Sequence, residues 1–333
     1  MMKLSTMQKV VATVDEEWKS PLAEQIMERW THDEDSIYYY RSSANFVFIF
    51  EVDGQSHFLR FNDASERTAE SIEAELQILQ YLRDKSVHTA QPVLSVNNRY
   101  VETVETKLGT FHAVVFQGLS GEHAEMEGLS EEQYMQWGRT LGQLHASLQD
   151  IPEHLRAERH NWKDQLDFAK TMMTNNEPFA QKEWEAVMKW ADELAASPQN
   201  YGIIHYDFEL DNLCWDNGLA SVLDFDDCVN HWYLADIAYA LRQFSEYAID
   251  LENADIQAFL KGYSEAFPLD MNDLPQLNGF LRMHNLVMFA KLLRTVDIPE
   301  NPDYPEWLTD LRTDLLGYLE EYREAFEKRA SEK

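Results

Sequence analysis

One stretch constrains this chain more than any other. His205-Tyr206-Asp207-Phe208-Glu209-Leu210-Asp211-Asn212 is followed, twelve residues after Asn212, by Asp224-Phe225-Asp226. Between them lie an apolar run, Leu213-Cys214-Trp215, a turn signal, Asp216-Asn217-Gly218, and a second apolar run from Ala220 to Phe225. Asn and Gly tolerate positive φ, so the segment reads as a β-hairpin. Folding the two strands about that turn brings Asn212 and Asp224 together at the open end. An amide oxygen beside a carboxylate is a ligand set for a hard divalent cation. Asp207, five residues before Asn212, adds a second carboxylate near the same place.

That set matches the needs of phosphoryl transfer. The reaction requires a carboxylate beside the attacking hydroxyl and oxygen ligands that hold Mg²⁺ against the phosphates. The spacing H-x-D-x-x-x-x-N followed by D-F-D has the layout of a kinase catalytic loop and its metal-binding partner. Asp207 is the expected catalytic base, and Asn212 and Asp224 the expected metal ligands.

The flanking sequence supplies two contrasting regions. Residues up to about Glu34 read as helical, with Ser20-Pro21 as a start signal. Strands are expected at Ile37 to Arg41, Phe46 to Val52 and His57 to Phe61, the last two joined through Asp53-Gly54. Ser65 to Lys85 reads as a helix. Pro92 to Val96 and Tyr100 to Glu105 read as a strand pair around Asn97-Asn98, and Phe111 to Phe116 completes an antiparallel sheet with one helix against it. Ser130-Glu131-Glu132-Gln133 is a capping box that opens a helix to about Leu148. Helical spacing then marks Tyr233 to Tyr247, Ala254 to Phe267, Leu277 to Val296 and Trp307 to about Lys328. The chain is thus α+β, with an N-terminal helical extension (1–34), a β-rich nucleotide-binding lobe (35–117) and a helical catalytic and acceptor-binding lobe (118–333).

A nucleotide needs a phosphate clamp, and no lysine occurs between Lys19 and Lys85. Arg60 occupies the third expected strand, on the face opposite His57, Leu59 and Phe61. A guanidinium bridges phosphate oxygens and pairs with a carboxylate, for which Glu75 is the best partner and Glu73 the next. Ser42 and Ser43, between the first two strands, are expected to approach the phosphates in a loop that has no glycine. Gln117 and Leu119, in Val114 to Gly121 at the lobe boundary, are expected beside the adenine edge.

Together these residues resemble the aminoglycoside phosphotransferase and choline kinase-like family, from about Ile37 to about Tyr322. Asp224-Phe225-Asp226-Asp227-Cys228 through Trp232-Tyr233-Leu234-Ala235-Asp236 looks most like the bacterial branch of homoserine kinase-like phosphotransferases. The resemblance implies a protein-kinase-like two-lobe fold, ATP and Mg²⁺, Asp207 as base, Asn212 and Asp224 on the metal, and Arg60 on the α and β phosphates. Two features depart from the family. Tyr206-Asp207-Phe208-Glu209 stands where Gly-Asp-Leu/Phe-His is commoner, and the phosphate loop lacks glycine. His205 is expected to be a packed scaffold residue, and Asp236 to tie the catalytic region to the following helix.

Only eleven residues separate Asp224 from Asp236, and no A-P-E follows nearby, which leaves little room for a peptide-docking segment. A small-molecule acceptor is therefore expected. A protein Ser/Thr kinase of the same fold and a non-catalytic nucleotide-binding pseudokinase are the alternatives. Asp226, Asp227, Trp232, His284 and Asn285 are expected to line the acceptor site. The chain carries 28 Lys+Arg against 59 Asp+Glu, a net charge of -31. Nucleic acid and anionic membranes are poor partners for it, and a cationic acceptor suits it better. The two cysteines, Cys214 and Cys228, have no metal-ligand spacing and read as small buried thiols. With no long apolar segment at the N-terminus, a cytoplasmic location is expected. Oligomeric state is not legible from the sequence.

Overall fold

The computed structural model describes residues 1–216, 218–245 and 247–331. Asn217 of the expected hairpin turn lies outside the described residues, as does Glu246 near the expected end of the Tyr233 helix. The chain forms two compact units. Unit 1 is Met1–Leu76, Ala90–Gly118 and Phe289–Glu324; unit 2 is Gln77–Thr89, Leu119–Met288 and Ala325–Lys333.

Unit 1 begins with α1 (Leu4–Val11) and α2 (Pro21–Met27). Ser20 caps α2 by accepting from the Ala23 N–H, with Pro21 in the first turn, where its missing N–H is no loss. Strands β1 (Tyr38–Ser42), β2 (Phe46–Val52) and β3 (Gln55–Asp63) follow, then α3 (Ala69–Asp84) and strands β4 (Gln91–Val93), β5 (Glu102–Thr106) and β6 (Gly109–Gln117). All six strands form one antiparallel sheet, ordered β1-β2-β3-β6-β4 with β5 also on β6. The β2–β3 turn has positive φ at both Asp53 and Gly54, as a two-residue hairpin requires.

Alternation in β3 separates two faces. Leu59 and Phe61 join Phe46, Phe48, Phe50 and Phe111 in a core completed by Val10, Leu22, Ile26, Met27 and Trp30. The N-terminal helices therefore cover a sheet face that sequence reasoning had left bare. Arg60 points the other way, to Glu75 on α3. The last part of the chain also belongs to this unit. Asp297 accepts from the Ser5 N–H at 3.0 Å, and Arg294 pairs with Glu66.

Two local expectations are corrected. Pro92 to Val96 and Tyr100 to Glu105 do not pair with each other. The turn closes, with Ser95 N–H on the Arg99 carbonyl at 2.8 Å, but β4 and β5 lie on successive parts of β6. A nine-residue β6 offers enough edge for both. The first helix after β3 starts at Ala69 rather than Ser65, because Asp63 Oδ1 binds both the N–H and the hydroxyl of Ser65 and holds it in a turn.

Unit 2 holds α4 (Glu131–Leu148), α5 (Glu153–Ala157), α6 (Trp162–Met172), α7 (Pro178–Asp192), strands β7 (Tyr201–Ile204), β8 (Leu213–Asp216), β9 (Leu219–Val222) and β10 (Val229–Trp232), then α8 (Tyr233–Ala240) and α9 (Ala254–Ala266). Helices α10 (Leu277–Thr295) and α11 (Glu306–Ser331) have parts in both units. The capping box at Ser130 and Gln133 is formed. Helices α4 and α9 approach at Gly138 and Gly262, where an added Cβ would lie 1.9 Å from the Phe259 carbonyl and 1.8 Å from that of Met135. No side chain fits there.

The hairpin β8–β9 is antiparallel, as expected. The β7–β10 pair was not expected, and its partners are separated by about 25 residues of loop and hairpin. Helix α8 is shorter than its apolar spacing indicated and ends in a 3₁₀ turn, Leu241–Gln243. Arg242 Nη1 takes the Tyr239 carbonyl at 2.8 Å, the acceptor that a longer helix would give to residue 243. Among the described residues no helix is long and apolar enough to cross a membrane.

Candidate active site

In unit 1, Arg60 and Glu75 form a bidentate pair, Nη1 to Oε1 at 2.9 Å and Nη2 to Oε2 at 2.6 Å. Their side chains are 8% and 2% exposed, and the guanidinium also lies 5.0 Å from the centre of the Phe116 ring. Taking one charge away would strand the other in a buried site, so the two are kept together. Ser42 ends β1 and its hydroxyl accepts from Tyr39 Oη at 2.9 Å. The Ser43 carbonyl accepts from the Met2 N–H. Gln117 closes β6 opposite His57 and Gln91. Leu119 is the first residue of unit 2 after β6.

Unit 2 carries the expected catalytic loop and the hairpin. Asn212 Nδ2 donates to the Asp207 carbonyl at 2.8 Å and to Asp207 Oδ2 at 3.0 Å. That fixes the amide and leaves Oδ1 as its acceptor end. Leu223 N–H donates to the Asn212 carbonyl at 2.8 Å, continuing the β8–β9 ladder to the residue before Asp224. Asp207, Asn212 and the strand end bearing Asp224 thus belong to one hydrogen-bonded assembly.

His205 locks this assembly from behind. Its ring is fully buried; Nδ1 accepts from the Asp207 N–H at 3.3 Å and Nε2 lies 2.7 Å from the Leu223 carbonyl. An acceptor at Nδ1 makes Nε2–H the donor to Leu223. Both nitrogens are used for scaffolding. Asp236, also fully buried, is the second lock. Its Oδ1 accepts from the Tyr206 N–H at 2.8 Å, and its Oδ2 from the His205 N–H at 2.8 Å and His145 Nε2 at 3.0 Å. Burial alone would raise its pKa; His145, by hydrogen bond and charge, together with His205, more than offsets this and lowers it. Trp137 Nε1, also on α4, donates to the Phe208 carbonyl at 3.3 Å.

Two non-glycine residues here have left-handed backbones, Tyr206 at φ 75° and Asp224 at φ 56°. Such conformations cost of order 1–3 kcal/mol and persist where surroundings enforce them. Tyr206 is enforced by Asp236 below and by its buried ring, 5.0 Å from Tyr239 and 5.7 Å from His284.

Several residues were not foreseen. Arg242 Nη2 lies 2.5 Å from Asp207 Oδ1 and 2.8 Å from Glu209 Oε1. Its only sequence signal is a charge closing the apolar run Ile237 to Leu241. Arg159 Nη2 and Nε hold the Asp226 and Cys228 carbonyls at 2.6 and 2.9 Å. His145 was legible only as a lone histidine on the apolar face of α4. Four residues expected at the acceptor surface are instead buried, Asp226 among them. Trp232, His284 and Asn285 are buried, and Trp232 packs on Trp162 and Tyr201 because β10 turns it inward. Cys214 and Cys228 are buried free thiols.

His231, on β10 beside this region, is fully buried. Trp232 N–H donates to its Nδ1, and its Nε2 faces Tyr239 Oη and Met283 Sδ, each at 3.2 Å. Burial drives its pKa down to about 3, against the pull of Asp236. A histidine with a depressed folded pKa gives stability that is complete above its unfolded value, about 6.5, and lost as pH falls toward the folded value. Stability should therefore decline by about 1.4 kcal/mol per pH unit from this group below pH 6.5. Melting curves of wild type and His231→Gln should converge as the buffer is acidified; parallel curves from pH 7 to 4 would refute the assignment.

The model of the phosphotransferase enzyme family matches residues 40–279. The chain belongs to this family. Amicoumacin kinase of Bacillus subtilis (strain 168) is 25% identical over 299 residues, 86% of this phosphotransferase and 89% of the relative. The solved amicoumacin kinase hAmiN, in complex with AMP-PNP, Ca2+ and Ami, superposes with a TM-score of 0.78 at 21% identity, over 96% of each chain. A microcompartment-associated aminopropanol kinase gives 0.71 at 22% identity, over 93% of this phosphotransferase and 97% of that chain. These likenesses establish the protein-kinase-like α+β fold.

Proposed function

We propose that this phosphotransferase moves the γ-phosphate of ATP to a hydroxyl of a small, amine-bearing molecule, with Mg²⁺ as the metal. The observation that carries the reading is the Asn212 junction, bonded at once to Asp207 and to the strand end of Asp224. Asp207 receives the hydroxyl proton, and the resulting nucleophile attacks the phosphorus in line with the leaving ADP. Arg60, steadied by Glu75, binds phosphate oxygens; the Glu75 pair uses two of the five N–H donors of a guanidinium. Ser42, Ser43, Gln117 and Leu119 are assigned to the nucleotide on sequence grounds.

The donor set fits Mg²⁺. Among the described residues no group of three or more His, Cys, Asp and Glu side chains is arranged to hold an ion alone. Asn212 and Asp224 offer one amide and one carboxylate oxygen, and Mg²⁺ commonly takes few protein ligands and completes its shell with phosphates and water. When bound, the ion would neutralise developing phosphate charge.

Local charge and two relatives support the amine. Two similar proteins are an amicoumacin kinase and an aminopropanol kinase. Asp207 and Glu209 both pair with the Arg242 guanidinium, two carboxylates on one cation at that contact, a setting that favours a cationic acceptor.

Titration of ATP into the protein with Mg²⁺ and with chelator tests the metal site. Binding should require Mg²⁺, and Asp224→Ala should weaken it by more than roughly tenfold, and by more than Asn212→Ala does. An alcohol screen at low and high salt should favour cationic acceptors. Metal-independent ATP binding unchanged in Asp224→Ala, or equal use of neutral sugars at both salts, would overturn the corresponding part of the proposal.

A further inference from the structure

We propose that Arg242 is a positioning residue for phosphotransfer, holding the Asp207 carboxylate in its working orientation, and that Glu209 keeps Arg242 paired when Asp207 takes up the proton. The inference rests on the reading of Asp207 as base and deepens it.

A carboxylate turns easily about its terminal bond, so a base needs both oxygens held. Here they are held from two elements. Oδ2 accepts from Asn212 in the catalytic loop, and Oδ1 from Arg242 in the turn after α8. Arg242 is itself anchored, since its Nη1 is bonded to the Tyr239 carbonyl. Its side chain is 16% exposed, whereas that of Asp207 is 40% exposed. The base thus faces solvent while the group that orients it stays behind. Each carboxylate oxygen has two acceptor directions, so neither bond closes Asp207 to a hydroxyl.

Glu209 has a distinct task. In the transfer the acceptor O–H bond breaks and its proton goes to Asp207. The oxygen forms a bond to the γ-phosphorus, and the bridging P–O bond breaks with its electron pair leaving on ADP. Asp207 becomes neutral at that moment. An arginine this buried, with Asp207 as its sole counter-ion, would be left uncompensated just as the barrier is crossed. Glu209, 2.8 Å from the same Nη2, remains charged and removes that penalty. Burial by itself would lower the Arg242 pKa, and Glu209 and Asp207 together raise it, so the guanidinium stays charged throughout.

The test is steady-state release of ADP from MgATP by the full chain with water as acceptor, alongside thermal melts. Arg242→Gln should lower kcat by roughly ten- to a hundredfold with little change in KM for ATP. Arg242→Lys, which keeps the charge but not the fork, should recover part of it. Glu209→Gln should lower kcat on its own and have a smaller effect in the Arg242→Lys background, the mark of a coupled pair. Asp207→Asn is the control. If it turns over ATP at the wild-type rate, the reading of the base itself fails. If it is inactive while Arg242→Gln and Glu209→Gln match wild type, the positioning role fails and the base stands. If Arg242→Gln does not fold, independent losses in Arg242→Lys and Glu209→Gln refute the proposal, and coupled losses support it.

Discussion

Asp207→Ala should cut phosphotransfer by roughly 10²–10⁴-fold while the protein still folds and still binds MgATP. The size of the effect follows from when the carboxylate acts. As the proposed base it would contribute most as the acceptor proton leaves, so its loss should fall on kcat more than on ground-state binding. Folding should survive because the side chain is 40% exposed, and because Arg242 keeps Glu209 as a partner. Asn212 loses one of the two bonds made by its Nδ2 and keeps the one to the residue 207 carbonyl. Single-turnover phosphorylation combined with nucleotide titration separates the two quantities. Near-normal turnover, or loss of nucleotide binding equal to the loss of turnover, would contradict the assignment.

Asp236→Asn should be the more damaging change to the molecule as a whole, destabilising it by about 3–5 kcal/mol. The carboxylate is fully buried and accepts three hydrogen bonds, from two backbone N–H groups of the catalytic loop and from His145. An amide presents one oxygen and one NH₂. Whichever way it turns, the NH₂ meets an N–H donor, and one loop amide is left buried and unsatisfied. The folded pKa of Asp236 is depressed, so its contribution is complete above the unfolded carboxylate range near 4 and lost only as pH falls through the folded value. The deficit of the variant should therefore be fully expressed at pH 7. Urea denaturation at that pH measures it, and a midpoint within error of wild type would show that the loop is held by other means.

What could be read in the chain beforehand was what lies close together along it. Asn212 and Asp224 lie only twelve residues apart, and the turn and apolar runs between them announce the hairpin. The Arg60–Glu75 pair needs only strand alternation and one helix face. The groups missed come from far away in sequence. His145 reaches Asp236 across 91 residues, and Arg242 reaches Asp207 across 35. Neither role shows in the residue's own stretch of sequence, and both look like ordinary residues of apolar helices. The β7–β10 pair escaped for the same reason, and so did the burial of Trp232, His284 and Asn285. Apolar spacing identifies a helix, but not which of its polar neighbours the fold will enclose. The strand pair assigned around Asn97-Asn98 failed differently. The turn was correct, and a longer neighbouring strand won the edges of both arms.

Tyr206 bears on how the loop meets its substrates. A glycine at this left-handed position would adopt the same backbone without strain, and would also leave the unfolded chain far more freedom there. Tyrosine reverses both terms. Its conformational entropy is surrendered once, during folding, when the ring is buried and its N–H is fastened to Asp236. Little ordering then remains to be done when nucleotide and acceptor arrive, and binding free energy that a looser loop would consume in becoming organised is available for affinity and for catalysis.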